Sequence, residues 1–383
     1  GFFMKKKIIA GLIASIMSTS LLIGCGSSSS KNEVIKIGGI GPLTGSASTY
    51  GNSAKEGASL LIKEINYAGG INGKQIEFIF EDDGATPDGA MQAFNKLVDK
   101  DGVAAILGGV TSGATLAIAK NSTERQIPMI TPTGTEPSIT NEGGEYMFRG
   151  CFIDSFQGEI LAKYTTDNLN KKTAAVLYNA GSDYSIGIAK AYKETLEKNG
   201  GKVVEYLSYN DGDTDFKAQL TKIKGSNPDV IVLPDYYNVV GLIAKQARDI
   251  SITSQLLGGD GWESEELASI GGDAVDGALY INHYYSGDDS EIVKNFVESY
   301  KKEYNKEPDS FAALAYDSTK ILVEAIKNAN STDGVAIKDA LAKTNLECVT
   351  GKISFNEERS AIKGAAVIKL DGSNKVLADK LNP

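Results

Sequence analysis

The sequence predicts an α/β fold of two similar lobes, each a parallel sheet flanked by helices. Three observations lead there. Short apolar, strand-like segments alternate with segments of helical periodicity along the body of the chain. The alternation runs twice, with a break near 150–157. The length of 383 residues is long for a single hydrophobic core, so two are expected.

Each element has its own signal. Residues 34–40 are an apolar strand. Residues 50–68 carry Ala54, Ala58, Leu61, Ile62 and Ile65 at helical spacing and stop at Gly69-Gly70. A strand at 74–80 follows, then a helix over 87–98 opened by Pro87, where proline is tolerated. Strands at 103–107 and 127–131 bracket a helix over 112–125. The second run has strands at 173–178, 202–207, 230–233, 255–258 and 277–280. Between them lie helices over 185–198, 216–224, 239–250 and 264–270. A helix over 311–329 and late strands at 352–355 and 365–370 complete the series, the last two expected to cross between lobes. The only low-complexity tract is a serine run near the N-terminus, and there is no sequence-level repeat.

The N-terminus reads as an address. Lys5, Lys6 and Lys7 precede an apolar stretch over 8–23 that ends in Leu22-Ile23-Gly24-Cys25. A basic start, a short apolar core and small residues at the cut describe a secretory signal peptide over 1–24. The alternative, an uncleaved anchor, needs roughly 20 predominantly apolar residues. This run is shorter and interrupted by Ser15, Ser18, Thr19 and Ser20. The Leu-Ile-Gly-Cys ending resembles a bacterial lipobox, which makes Cys25 the lipidated first residue of the mature chain, with 25–33 as tether. Gly1-Phe2-Phe3, ahead of Met4, has no role in this pattern.

Composition narrows the function. The net charge of −10 becomes −13 once Lys5, Lys6 and Lys7 leave with the leader, which argues against a nucleic-acid partner and suits an exported protein. Beyond Cys25 only Cys151 and Cys348 remain, more in keeping with buried thiols than with a disulfide framework.

Catalytic and cofactor motifs are scarce. The one histidine, His283, has no Gly-x-Ser-x-Gly elbow to serve, and reads as a partly exposed or hydrogen-bonded structural residue. Cys/His spacing for zinc and a phosphate-binding Gly-x-x-x-x-Gly-Lys loop are both missing, so neither metal nor cofactor is expected. Gly38-Gly39-Ile40-Gly41-Pro42-Leu43-Thr44-Gly45 fails the dinucleotide spacing, and Pro42 removes an amide that a phosphate would use.

What remains is a set of polar loops at the carboxyl ends of strands, where open α/β sheets bind ligands. Gly108-Gly109-Val110-Thr111-Ser112 leads directly into a helix. Ser112 is read as its N-cap, and the first-turn amides with the helix dipole favour an anion. Lacking lysine or arginine, the loop suits a carboxylate better than a phosphate. Thr131-Pro132-Thr133-Gly134-Thr135 is a second hydroxyl-rich loop. In the second half, Gly258-Gly259-Asp260-Gly261-Trp262 offers close backbone approach and an acid for an ammonium group. Tyr50, Tyr184, Tyr236 and Tyr237 are candidate aromatic walls, and Trp262 a further one.

These segments together resemble a known family. Ile40-Gly41-Pro42-Leu43-Thr44-Gly45, Tyr50-Gly51 and the run over 64–73, Glu-Ile-Asn-Tyr-Ala-Gly-Gly-Ile-Asn-Gly, are similar to the opening of the branched-chain amino-acid binding proteins. Glu81-Asp82-Asp83, Thr131-Pro132-Thr133, 152–158, Asp235-Tyr236-Tyr237-Asn238 and 243–248 continue the likeness, which spans roughly 34–375. The resemblance implies the type I periplasmic-binding fold, two lobes joined by three crossovers and closing on ligand. It implies lobe 1 over 34–154 plus about 286–361, and lobe 2 over about 155–285 plus 362–383.

Carried over position by position, Ser112 and Thr135 bind the α-carboxylate of an amino acid and Thr133 adds a main-chain contact. Asp260 takes the α-ammonium, and Tyr50, Tyr184 and Tyr236 are the aromatic contacts. Thr133 stands where a smaller residue is common, and the early disulfide of some Gram-negative members has no cysteines here. The expectation is therefore a non-catalytic, monomeric solute-binding lipoprotein. It would sit on the outer face of a Gram-positive membrane, delivering a branched-chain or other small aliphatic amino acid to an ABC permease. The alternatives are another small carboxylate, amide or peptide as ligand, an extracellular enzyme on this scaffold, or a surface adhesin.

Overall fold

The computed structural model describes residues 33–383, so the leader, the lipidation site at Cys25 and nearly all of the tether lie outside the described residues. The first run of elements is β1 (Ile35–Gly41), α1 (Ser48–Tyr67), β2 (Ile76–Asp82), α2 (Pro87–Asn95), β3 (Ala105–Leu107), α3 (Ser112–Glu124), β4 (Met129–Thr131), α4 (Ser138–Gly143) and β5 (Met147–Arg149). The second is α5 (Asp154–Lys163), β6 (Thr173–Asn179), α6 (Asp183–Lys198), β7 (Lys202–Tyr209), α7 (Lys217–Ser226), β8 (Val230–Val232), α8 (Tyr237–Asp249), β9 (Gln255–Gly258), α9 (Glu266–Gly271) and β10 (Leu279–Asn282). Then come α10 (Glu291–Tyr304), α11 (Ser310–Ala329), α12 (Gly334–Ala342), β11 (Asn345–Cys348), β12 (Gly351–Ser354), β13 (Ala365–Asp371) and β14 (Asn374–Leu381).

The expected α/β class is what forms. The first sheet has the order β2-β1-β3-β4-β5 and is parallel throughout, with Ile37 of β1 opposite Phe78 on one side and Ala105 on the other. The second has the order β14-β13-β10-β9-β8-β6-β7; its five inner-to-edge strands β10 to β7 are parallel and repeat the order of the first sheet. Strands buried on both faces read as continuous apolar runs, as β3 (AIL) and β8 (VIV) do.

Helix starts are written locally. Thr86, Ser182, Asp309 and Asp333 each accept an amide of the following turn and cap α2, α6, α11 and α12. At α3 the structure corrects the sequence. Thr111 occupies the N-cap position and Ser112 is the first helical residue, with no side-chain cap bond. Ser112 is thereby left free for other work.

The chain passes between the sheets three times: after β5, after β10 into α10–α12, and back through 355–364 to β13. α11 lies on α1 and against β3 and β4. The first and third passages run side by side, with Arg149 N donating to Arg359 O (2.9 Å) and Ala361 N to Arg149 O (2.9 Å). Of the two late strands, β13 joins the second sheet antiparallel to β10, while β12 pairs only with β11 in a separate hairpin. Cys151 and Cys348 are both buried free thiols, and burial raises their pKa values well above the usual range.

Candidate functional site

In a sheet of order 2-1-3, chain connections leave in opposite directions from the first and third strands, and a crevice opens at their carboxyl ends. Both sheets have that switch point, between β1 and β3 and between β6 and β8. The seven residues expected to bind ligand come from loops and helix starts at these ends. All of them, Tyr50, Ser112, Thr133, Thr135, Tyr184, Tyr236 and Asp260, line one small cavity with about 220 Å³ of empty space. Val110, Thr111, Gly261 and Phe311 complete its wall.

The first-sheet side is a wall of donors. Thr131 Oγ1 donates to Gly109 O (2.6 Å) and Thr133 Oγ1 to Val110 O (2.6 Å), which ties the β3 and β4 loops together. The buried Arg149 guanidinium donates to the carbonyls of Gly134, Glu136 and Pro137, fixing the 134–137 turn from behind. The Thr133 hydroxyl is thus spent inside the protein. The Thr111 hydroxyl, by contrast, is buried without a partner, and the Thr135 hydroxyl faces the buried Asp154 carboxyl. A buried orphan hydroxyl costs about 1–3 kcal/mol, so the Thr111 hydroxyl on this cavity wall is available to a further acceptor. α3 begins on the same wall, where its first-turn backbone at Ser112 bonds the Tyr236 phenol.

The second-sheet side is built around one carboxylate. Asp260 Oδ1 accepts from Tyr184 Oη (2.7 Å) and Gln157 Nε2 (3.0 Å), and Oδ2 lies 2.8 Å from His283 Nε2. Gln157 Oε1 in turn accepts from Asp260 N (2.8 Å). Three donors around an acceptor-only group hold it at a fixed angle at the cavity edge. Burial, and then the Asp260 charge, push the Tyr184 phenol well above its ordinary range, so it stays a donor. Burial likewise raises Asp154, which Gln157 also reaches at 3.2 Å.

Aromatic rings close the remaining sides. Tyr50 stacks on Phe311 (4.1 Å between centroids, 17°) and meets Tyr236 edge-on at 5.3 Å, while Tyr236 lies 5.0 Å from Tyr184. Tyr50 Oη donates across the cleft to Gly261 O. Trp262, expected as a pocket wall, does not line the cavity. Its indole is buried behind Gly258, where Nε1 donates to Leu233 O (2.9 Å) and the ring packs by Tyr280. The backbone after Asp260 turns through a short 3-10 segment, and that turn carries the indole into the core.

Sequence reasoning missed Gln157, His283 and Phe311. Gln157 lies within the 152–158 motif, but its partner is 103 positions away. His283 is hydrogen-bonded as expected, yet buried rather than partly exposed. Phe311, the second residue of α11, carries only a helix signal in the sequence. Among the described residues no group of three or more His, Cys, Asp or Glu is placed to hold a metal. No described helix is long and apolar enough to cross a membrane.

Two largely parallel, helix-flanked sheets that share one small cavity, with hydroxyls on the first-sheet side and an acid on the other, are the architecture of a small-solute binding protein. The chain belongs to the periplasmic binding protein family, whose profile matches residues 34–375. It is 31% identical over 348 residues, 90% of this chain and 92% of the relative, to a leucine-, isoleucine-, valine-, threonine- and alanine-binding protein of Pseudomonas aeruginosa. Among solved structures it is similar to the leucine binding protein LivK of Thermotoga maritima (36% identity, TM-score 0.87, 91% of this chain and 99% of that one). It is equally similar to the branched-chain amino acid transporter substrate binding protein LivJ of Streptococcus pneumoniae in complex with isoleucine (38%, 0.87, 92% and 100%). The fold is the type I periplasmic-binding fold of these neighbours.

Proposed function

We propose that the protein captures a branched-chain or other small aliphatic amino acid outside the cytoplasm and presents it to an ABC permease. The observation that carries this reading is the polarity of one cavity. The buried hydroxyls of Thr111 and Thr135 and the start of α3 line the first-sheet side, and the braced Asp260 carboxylate lines the other. That is the complement of a zwitterion. In this reading Ser112 and Thr135 hold the α-carboxylate, with Thr133 contributing main chain, and Asp260 holds the α-ammonium. Tyr50, Tyr184 and Tyr236 exclude water from the side chain. The leucine- and isoleucine-binding relatives support the aliphatic class.

Delivery fits the N-terminal pattern. A lipid on Cys25 and a short tether would keep the lobes close to a membrane-embedded permease, on the outer face of a Gram-positive cell, acting as a monomer and without catalysis. Calorimetric titration of the purified protein with leucine, isoleucine, valine, alanine and threonine tests the site. Saturable binding of aliphatic members is expected. Asp260→Asn keeps the shape and removes the charge, and should weaken binding by about 10–100-fold, the equivalent of about 1.5–3 kcal/mol for a charged hydrogen bond. Unchanged affinity in that variant would remove Asp260 from the site.

A further inference from the structure

Asp260 does not stand alone, and its least expected neighbour is the only histidine in the sequence. His283 leaves the end of β10 at the second passage between the sheets. Its ring stacks on Phe152 of the first passage (3.9 Å between centroids, 16°), its Nε2 faces Asp260 Oδ2 at 2.8 Å, and its main-chain N donates to Asn282 Oδ1 (2.9 Å). The ring is buried, and Nδ1 has no hydrogen-bond partner.

That pattern selects a tautomer. With a carboxylate at Asp260, Oδ2 accepts, Nε2 carries the hydrogen and Nδ1 is a bare lone pair. Protonating Nδ1 would bury both a charge and an unpaired N–H, which is costly on both counts. Of the charged groups around the ring, Asp260 and Glu263 favour an imidazolium and Lys363 opposes it. Asp154 reaches the pair only through Gln157. Burial outweighs the Asp260 bond and holds the imidazole below its ordinary range.

We propose that His283 is a positioning residue for capture, whose neutral Nε2–H aims the Asp260 carboxylate at the ligand ammonium and whose protonation opposes binding. The inference rests on the amino-acid reading above. The physical reason is competition: an imidazolium and an ammonium would share one carboxylate, and two buried cations beside one anion repel. Bound ligand therefore lowers the His283 pKa further. By linkage, affinity is flat above the ligand-free pKa and falls as pH drops below it, by at most tenfold per pH unit for one proton. The proton released on binding leaves to solvent.

Two measurements on the untagged full chain test this. With a single histidine, 15N-histidine NMR reads one ring: at pH 7.5 the neutral Nε2–H form is expected with and without leucine. A charged ring or an Nδ1–H tautomer at that pH overturns the inference. Leucine titrations between pH 5 and 8 then compare wild type with His283→Gln and His283→Leu. Gln places an amide N–H near the Nε2 position and does not titrate. It should bind within about threefold of wild type at pH 8 and lack the wild-type loss that sets in as pH falls below the ordinary imidazole range. Leu, with no donor, should bind weakly at every pH. Parallel pH profiles for wild type and His283→Gln overturn the inference alone. A wild type that binds no amino acid at any pH overturns the amino-acid reading, and the role of His283 in capture with it.

Discussion

Gln157 illustrates how much of the site is decided one side chain at a time. Its amide spans Asp260, donating to the carboxylate at 3.0 Å and accepting from the main-chain N at 2.8 Å, so both the charge and the backbone turn that bears it are set by one residue. Gln157→Leu keeps the volume and removes both bonds. Orphaned buried groups cost about 1–3 kcal/mol, so thermal or denaturant unfolding should show a loss of that size, with leucine binding weakened about tenfold or more. Full affinity with lowered stability would mean that Gln157 supports the fold and not the site. The hydroxyl loops around Ser112 and Thr135 were legible because a ligand loop at a strand end is a local pattern. Gln157 and His283 were not, because their meaning lies in a partner far away along the chain. Trp262 failed for the related reason that a glycine-rich turn permits several side-chain directions, and sequence does not say which.

At the scale of elements, the packing of α1 on α11 sets where Tyr50 and Phe311 meet. Both helices bring the ring-bearing residue in their first turn or so, and Gly57 lets their backbones approach: a Cβ at 57 would stand 2.1 Å from the Ala312 carbonyl oxygen. Two effects oppose each other in Gly57→Ala. Alanine gains about 0.8–1.0 kcal/mol of helix propensity, whereas overpacking against backbone costs about 1–3 kcal/mol or more. The clash is with main chain, which cannot rotate away, so a net loss of stability by calorimetry is expected. Gly225→Ala in α7, with nothing within 4 Å of its Cβ, should be neutral or slightly stabilising. Equal behaviour of the two variants would refute the close approach.

Element legibility followed the same physics. Periodic helices and doubly buried strands were plain in the sequence. The three-residue β5 is too short to have a period. β14 alternates exposed and half-buried positions at a sheet edge and carries Lys375, Asp379 and Lys380, so its pattern is polar. α10 does carry a signal, with Val293, Phe296 and Tyr300 buried at helical spacing, but it lies beyond the second run of alternation.

For the whole molecule, the question is what holds the lobes together around so small a cavity. Several bonds reach between elements of the two sheets without passing through the cavity. Tyr237 Oη donates to Ser46 O (2.7 Å), and Ser310 N, at the start of α11, donates to Glu263 Oε2 (3.1 Å). The Glu263 carboxylate is itself braced by Tyr280 and Asn282 and paired with Lys375, whose charge helps keep its pKa low despite burial. Such bonds contribute to affinity only if they form on closing, since a ligand gains from interactions that differ between open and closed states. Tyr237→Phe separates the cases. It deletes the bonds of the Tyr237 hydroxyl to the α1 side, at Ser46 O and Thr49, and leaves every cavity-lining residue in place. A neutral hydrogen bond is worth about 0.5–1.5 kcal/mol, so leucine affinity should fall by about 2–13-fold, mostly through faster release in stopped-flow experiments. If affinity and release are unchanged while thermal stability drops, the Tyr237–Ser46 bond persists in the open protein, and closure must be held by the cavity residues themselves.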